Sequence, residues 1–315
     1  MSWTEALAAN PVPWLLEVEN PPARYWTLRE LLDRPADDPE VQAAQAAIPS
    51  YPPVAGLLAA QKRGGYWIKR DYYLPKAKGT FWTLTVLADL GLTRDNAQIE
   101  QACEYMFTFQ RESGAFCRRR RVSGKGLVWT QEPGPCTHAR IVRFLIQFGY
   151  GQDPRTRAGL DWILANQRDD GMWHCREDRY NCLRATLDAL RVAALDAETA
   201  VHPIMQRGAE VVCDLLLKGG MSKYHVRNPW TTLEYPYFDY GLIPALDALA
   251  RLGYRRQDPR IARALDFLLS RQLPDGAWPL DQELHRLPFD VGQPGEPNKW
   301  LTLDALRVTE VLYEP

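Results

Sequence analysis

A short pattern recurs four times along the chain: a glutamine, three residues, a glycine, one residue, then an aromatic. It stands at Gln61–Trp67, Gln110–Phe116, Gln167–Trp173 and Gln272–Trp278. The copies lie about fifty residues apart, the last interval being about two such periods. Repeats of that length are supersecondary units that cannot bury an apolar face alone and must stack on copies of themselves.

The stretches between copies read as helix pairs. After the second copy, Ile141, Val142, Phe144, Leu145 and Phe148 fall at helical spacing, which predicts a helix over His138–Phe148. Gly149 supplies a left-handed C-cap, and Asp153-Pro154 opens the next helix, which runs to Gln167. Phe81–Leu90, Leu183–Leu195, Leu242–Leu252 and Leu301–Leu312 match the first helix of that pair. Tyr25-Trp26-Thr27-Leu28 echoes Phe81-Trp82-Thr83-Leu84. An open solenoid needs polar capping repeats at its ends. Both ends here keep aromatic, inner-type faces. The expected fold is therefore all-α: a closed α/α toroid of about six helical hairpins, one domain over residues 1–315, essentially without sheet.

Of the chain, 46% is apolar and 24% charged, with a net charge of −1, an ordinary globular balance that draws it toward neither nucleic acid nor anionic membrane. No apolar run approaches the ~20 residues of a membrane span. Met1-Ser2-Trp3-Thr4-Glu5 lacks a secretory start. The expected location is cytoplasmic, where the six cysteines are thiols or metal ligands.

The repeat resembles that of squalene and oxidosqualene cyclases and of protein prenyltransferase β subunits. The likeness extends upstream of the glutamine, in Leu160-Asp161-Trp162-Ile163-Leu164-Ala165-Asn166-Gln167 and Leu265-Asp266-Phe267-Leu268-Leu269-Ser270-Arg271-Gln272. The resemblance implies an α/α toroid. It also implies a structural motif in which Gln ties a helix end to the next loop, Gly permits close approach and the aromatic packs on the neighbouring repeat. The Asp-x-Asp-Asp motif of cyclases that protonate an alkene is absent, since Asp169-Asp170 only fills spacer positions. The Asp/Cys/His zinc site of the prenyltransferases does not map onto this chain. The fold carries over; neither activity does.

Four cysteines pair up across two repeats. Counting back from Gly149 reaches Cys136, and aligning Leu195 with that glycine makes Cys182 its equivalent. Cys117 follows the motif aromatic Phe116 directly, and Cys175 follows Trp173 by two. Adjacent helices pack 8–10 Å apart, so thiols at adjacent loop and helix starts can converge on one zinc. Scattered buried thiols or redox cysteines are the other readings. His138 or His174 can replace one thiol, and a position left to water makes such a site catalytic. Lanthionine cyclases, toroids with zinc on Cys, Cys and His, are a parallel; here the order is His174-Cys175.

The repeat entry over residues 224–240 lacks the motif and is rich in aromatics. Tyr237 and Tyr240, with Tyr73 and Trp300, can pack among themselves or line an aromatic cavity. Asp239 and Glu234 are the carboxylates best placed for acid/base work, with His225 as partner. Arg118–Arg121 form a basic run, and Arg140, Arg143 and Arg184 come from the same repeats. The run is a solvated loop or a set of forks for a diphosphate, Arg140 being the ligand contact.

The expected function is to bind an apolar isoprenoid-like ligand, with or without converting it, in a central aromatic cavity with a Cys-ligated zinc near its mouth. Two alternatives stay open: a non-catalytic scaffold or binding module with a structural zinc, and a zinc enzyme of lanthionine-cyclase type. Nucleic acid is a disfavoured partner, and the sequence names no protein partner.

Overall fold

The computed structural model describes residues 2–124, 126–129, 134–174, 183–218, 229–282 and 287–314. Six inner helices stand side by side: α1 (Pro21–Trp26), α3 (Thr80–Asp89), α5 (Pro135–Leu145), α7 (Leu183–Ala193), α9 (Leu242–Arg251) and α11 (Lys299–Tyr313). Outer helices α2 (Pro52–Ala59), α4 (Ala97–Phe107), α6 (Pro154–Ala165), α8 (Pro203–Leu215) and α10 (Pro259–Ser270) back them. Successive inner helices from α3 to α11 pack on one another, and α11 packs back on α1. Trp26 Nε1 donates to Asp89 O at 3.0 Å, joining α1 to α3. The ring is closed, as expected of a toroid.

The outer helices start as their sequences dictate. Asp153 and Asp258 accept from the freed amides of Arg155 and Arg260, with proline in the first turn. Each then buries one stripe, Ile261, Ala264, Leu265 and Leu268 in α10.

The glutamine motif is the clamp between units. Gln110 Nε2 donates to its own loop at Gly114 O (2.8 Å) and to Arg155 O in the first turn of α6 (2.7 Å). Gln167 does the same toward Gly171 and Ile204. The motif glycine lets the loop lie against that outer helix. At Gly114 φ is +82°, and a Cβ would sit 2.2 Å from Ala158 O. The motif tryptophan reaches back to its own outer helix: Trp67 to Leu57 O, Trp173 to Ile163 O and Trp278 to Leu268 O, at 2.7, 2.8 and 2.8 Å. Its backbone amide donates to a threonine hydroxyl in the first turns of the next inner helix: Thr80, Thr186 or Thr302. In the second copy the pair is Phe116 and His138, with Phe116 N donating to His138 Nδ1 at 3.1 Å.

The sixth outer position is filled from the other side of the sequence. Gln272 Oε1 accepts from Ala8 N at 2.6 Å, and a Cβ on Gly276 would meet Ala9 O at 2.4 Å. Residues 8–9 thus take the place that a following outer helix takes elsewhere.

Among the described residues the sheet is confined to one short hairpin, in keeping with an essentially sheet-free fold. Arg119–Val122 (β1) and Gly126–Trp129 (β2) form an antiparallel hairpin. The basic run is its first strand, with Arg119 stacked 4.2 Å over Trp129. Gly124 and Gly126 supply the positive φ that its turn requires.

Candidate functional site: the lumen of the ring

The shared hydrogen bond from the motif amide fixes a common register for the inner helices. Thr80, His138, Thr186 and Thr302 are equivalent. Two, five and nine residues on, the same helix face carries Trp82, Thr85 and Asp89; Arg140, Arg143 and Gln147; Asp188, Arg191 and Leu195; and Asp304, Arg307 and Val311. Spacing i, i+3, i+7 is one helical stripe, and in a ring this stripe faces the centre.

The first layer is sealed. Arg140 forks onto Asp188, Nη2 lying 2.9 and 3.0 Å from the two oxygens, both side chains nearly fully buried. Arg140 Nη1 also donates to Phe238 O, drawing the aromatic loop into the ring. Burial pushes the Asp188 carboxyl up, against the pull of Arg140.

Below it lies a cavity of about 320 Å³. Trp26, Tyr235, Tyr237 and Trp300 give it an aromatic wall. Tyr235 stacks on Trp300 at 5.4 Å. Around this wall runs an ionic collar. Arg143 Nη1 binds Asp89 at 2.9 Å, Arg251 binds Asp247 at 2.9 Å and Glu30 at 3.0 Å, and Arg307 binds Glu30 and Asp304. Tyr237 Oη donates to Asp304 Oδ2 at 2.9 Å. Burial pushes Asp304 above the ordinary carboxyl range. Burial also works to raise Asp89 and Asp247, yet Arg143 and Arg251 hold them below it.

Tyr237 and Trp300 line this cavity as its wall on the side where the inner helices begin, not around an open mouth. The cavity extends toward the other end, where Gly91, Leu92 and Leu195 line it. Asp239 and Tyr240, expected beside Tyr237, lie outside it: Tyr240 packs on Trp230 at 5.3 Å, and Asp239 Oδ1 accepts from Tyr240 N. Glu234 accepts from Gln282 at 2.5 Å, and burial raises its carboxyl. Tyr73 packs on Phe81 and Trp82 beneath Arg118. Arg140 is committed to Asp188. His225 lies outside the described residues.

The collar itself was missed. Its signal is a charge every third or fourth residue along inner helices whose remaining faces are apolar.

Of the expected zinc ligands, Cys175 and Cys182 lie outside the described residues. The hydrogen-bond register also revises their alignment. Arg184, not Cys182, is the equivalent of Cys136, and its guanidinium donates to Cys136 Sγ at 3.3 Å. Cys117 is buried, and burial pushes its thiol up. His138 is unsuited to metal, because Nδ1 accepts from Phe116 N and Nε2 meets Gly159 O at 2.8 Å. His174 holds Asp170 at 2.7 Å. Among the described residues no three His, Cys, Asp or Glu side chains cluster as a metal site, and no helix is long and apolar enough to cross a membrane.

No protein-family model matches the chain. Over 153 residues it is 29% identical to the squalene–hopene cyclase of Bradyrhizobium diazoefficiens, a stretch covering 44% of this chain and 23% of that enzyme. Among solved structures, a protein from Actinoplanes superposes with a TM-score of 0.51 at 16% identity, over 94% of this chain and 90% of its own. A type II terpene cyclase from Scytonema gives 0.46 at 15% identity, over 94% and 86%. The ent-copalyl diphosphate synthase of Streptomyces platensis gives 0.43 at 16%, over 95% and 50%. The repeated clamp and the closed ring make this chain an α/α toroid, and over part of its length it is similar in sequence to squalene–hopene cyclase.

Proposed function

We propose that the protein binds an isoprenoid-related ligand in the lumen of its ring. The observation that carries this is the central cavity whose wall sets Trp26, Tyr235, Tyr237 and Trp300 against a polar collar, the make-up of a small-molecule site. Sequence likeness to squalene–hopene cyclase supports an isoprenoid as the apolar body. The volume is near the lower end of the roughly 300–1,000 Å³ usual for ligand pockets, so it suits a short chain better than a triterpene. Any conversion would fall to Asp304, the raised carboxyl of the lumen, rather than to Asp239 or Glu234.

The test is quenching of the lumen tryptophans by a series of prenyl compounds of increasing length. Saturable quenching that favours the shorter chains, and that weakens in Trp300→Ala, is expected. The reading fails if prenyl compounds bind no better than alkanols of equal length.

Zinc on Cys117, Cys136, Cys175 and Cys182 is a separate proposal. Its support is that Cys117 and Cys136 both lie close enough to act electrostatically on the adjacent Tyr72 and Tyr73. One equivalent of zinc in protein purified without added metal is its expected outcome, and its absence removes it.

A further inference from the structure

The collar is uneven in charge. On the α3–α5–α7 side, Asp89 faces two guanidiniums, Arg143 and Arg191. On the α1–α9–α11 side, Glu30, Asp247 and Asp304 face two, Arg251 and Arg307. The surplus carboxylate is served by the Tyr237 hydroxyl on Asp304. The surplus guanidinium is not served in the same way. Arg191 makes no hydrogen bond or ion pair among the described residues: the Tyr237 ring lies 5.7 Å from its Cζ, and Asp89 and Asp188 act on it only through longer-range attraction. Burial and then Arg143 push it down to about 10, so it is still charged at neutral pH.

Other groups of the same cavity are also unmet. Tyr235 Oη, Arg143 Nε and Gln147 Oε1 are buried without a hydrogen-bond partner, and all three side chains line the lumen with Arg191. Buried polar groups are normally paired. A cation and two further donors left open in one cavity are a cradle for anionic oxygen, where charge-assisted bonds are strongest.

Resting on the proposed luminal reading, we infer that the ligand carries a single carboxylate, held by Arg191 with Arg143 and Tyr235, while its chain lies on the aromatic wall. One negative charge completes this half of the collar. A diphosphate brings two or three, and the excess would be buried beside Asp89 without a counter-charge, which is costly.

Farnesoate, farnesol and farnesyl diphosphate share one chain and differ in head charge. Measured by tryptophan quenching near neutral pH, farnesoate should bind about tenfold tighter than farnesol, the scale of one charge-assisted hydrogen bond. Farnesyl diphosphate should bind weaker than farnesoate. Arg191→Gln should erase the difference between acid and alcohol, and Arg191→Lys should restore part of it, with thermal melts confirming that both variants fold. Equal binding of acid and alcohol to the native protein overturns the inference. So does a preference that survives in Arg191→Gln, or a diphosphate that binds tightest.

A chain-free pair separates this from the luminal reading. Benzoate should raise the melting temperature of the native protein where benzamide does not, and should fail to do so in Arg191→Gln. If no prenyl compound binds but benzoate still does this, the isoprenoid body falls and the carboxylate subsite stands. If benzoate and benzamide act alike and no prenyl compound binds, both fall.

Discussion

His138 stands where three other repeats place a threonine, and it must stay neutral to do so. Nδ1 needs its lone pair for Phe116 N, and Nε2–H is left to donate to Gly159 O. Burial pushes its pKa down to about 4 from the ordinary 6.5. In that window the unfolded chain binds the proton and the folded one does not. The stability given by the neutral ring is thus present above pH 6.5 and lost as pH falls toward 4, on the order of 3 kcal/mol in all. Denaturant melts at neutral pH and near pH 4.5 should show this loss. His138→Thr, which restores the usual hydroxyl, should flatten it; an unchanged slope would refute the assignment. The same residue marks a limit of sequence reading. A histidine near cysteines invites a metal, and only the amide that reaches it shows that both nitrogens are already in use. Tyr237 and Trp300 were legible as cavity residues because large aromatics in an atypical loop have few other uses. Asp89, Arg191 and Asp304 were not. A charged stripe on a helix reads as its solvent face, and nothing local distinguishes outer solvent from the interior of a ring.

Two kinds of join hold helix to helix. One is the buried ion pair of Arg140 on α5 and Asp188 on α7. Arg140→Met should destabilise by about 3–5 kcal/mol, because it strands a buried carboxylate. Adding Asp188→Leu should recover most of that, since a packed apolar pair often equals an ion pair. A double variant no more stable than the single one in urea melts would contradict this account. The other join is the glutamine clamp. Its repetition, the helix pairs and their caps were plain in the sequence, because each depends on short-range signals repeated four times over. The hairpin was not: Arg119–Val122 has little strand alternation, and the pairing comes from the turn glycines and the stacking of Arg119 on Trp129. The alignment of Cys182 with Cys136 failed for a related reason. It counted from helix ends, which vary, rather than from the amide-to-hydroxyl bond, which does not.

At the scale of the whole ring, Gln272 is the clasp. Its amide oxygen holds Ala8 N and its amide nitrogen holds Gly276 O at 2.7 Å. Gln272→Ala should cost about 0.5–1.5 kcal/mol, the net worth of a hydrogen bond whose freed groups water can reach. Hydrogen exchange should quicken first over residues 3–15 and only later in α5 and α7. Uniform quickening around the ring would instead mean that the clasp has no local role. The clasp also sets a timetable. Its two halves are 264 residues apart in sequence, and synthesis at roughly 5–20 residues per second takes about 13 to 53 seconds to cover that distance. Throughout that interval the segment around Ala8 has left the ribosome with its binding place not yet made. Leu15, buried to 0% in the finished ring, then belongs to a stretch open to chaperones and proteases. The newborn chain passes through an open-ring stage that the mature protein does not show, and the last inner helix to emerge ends it.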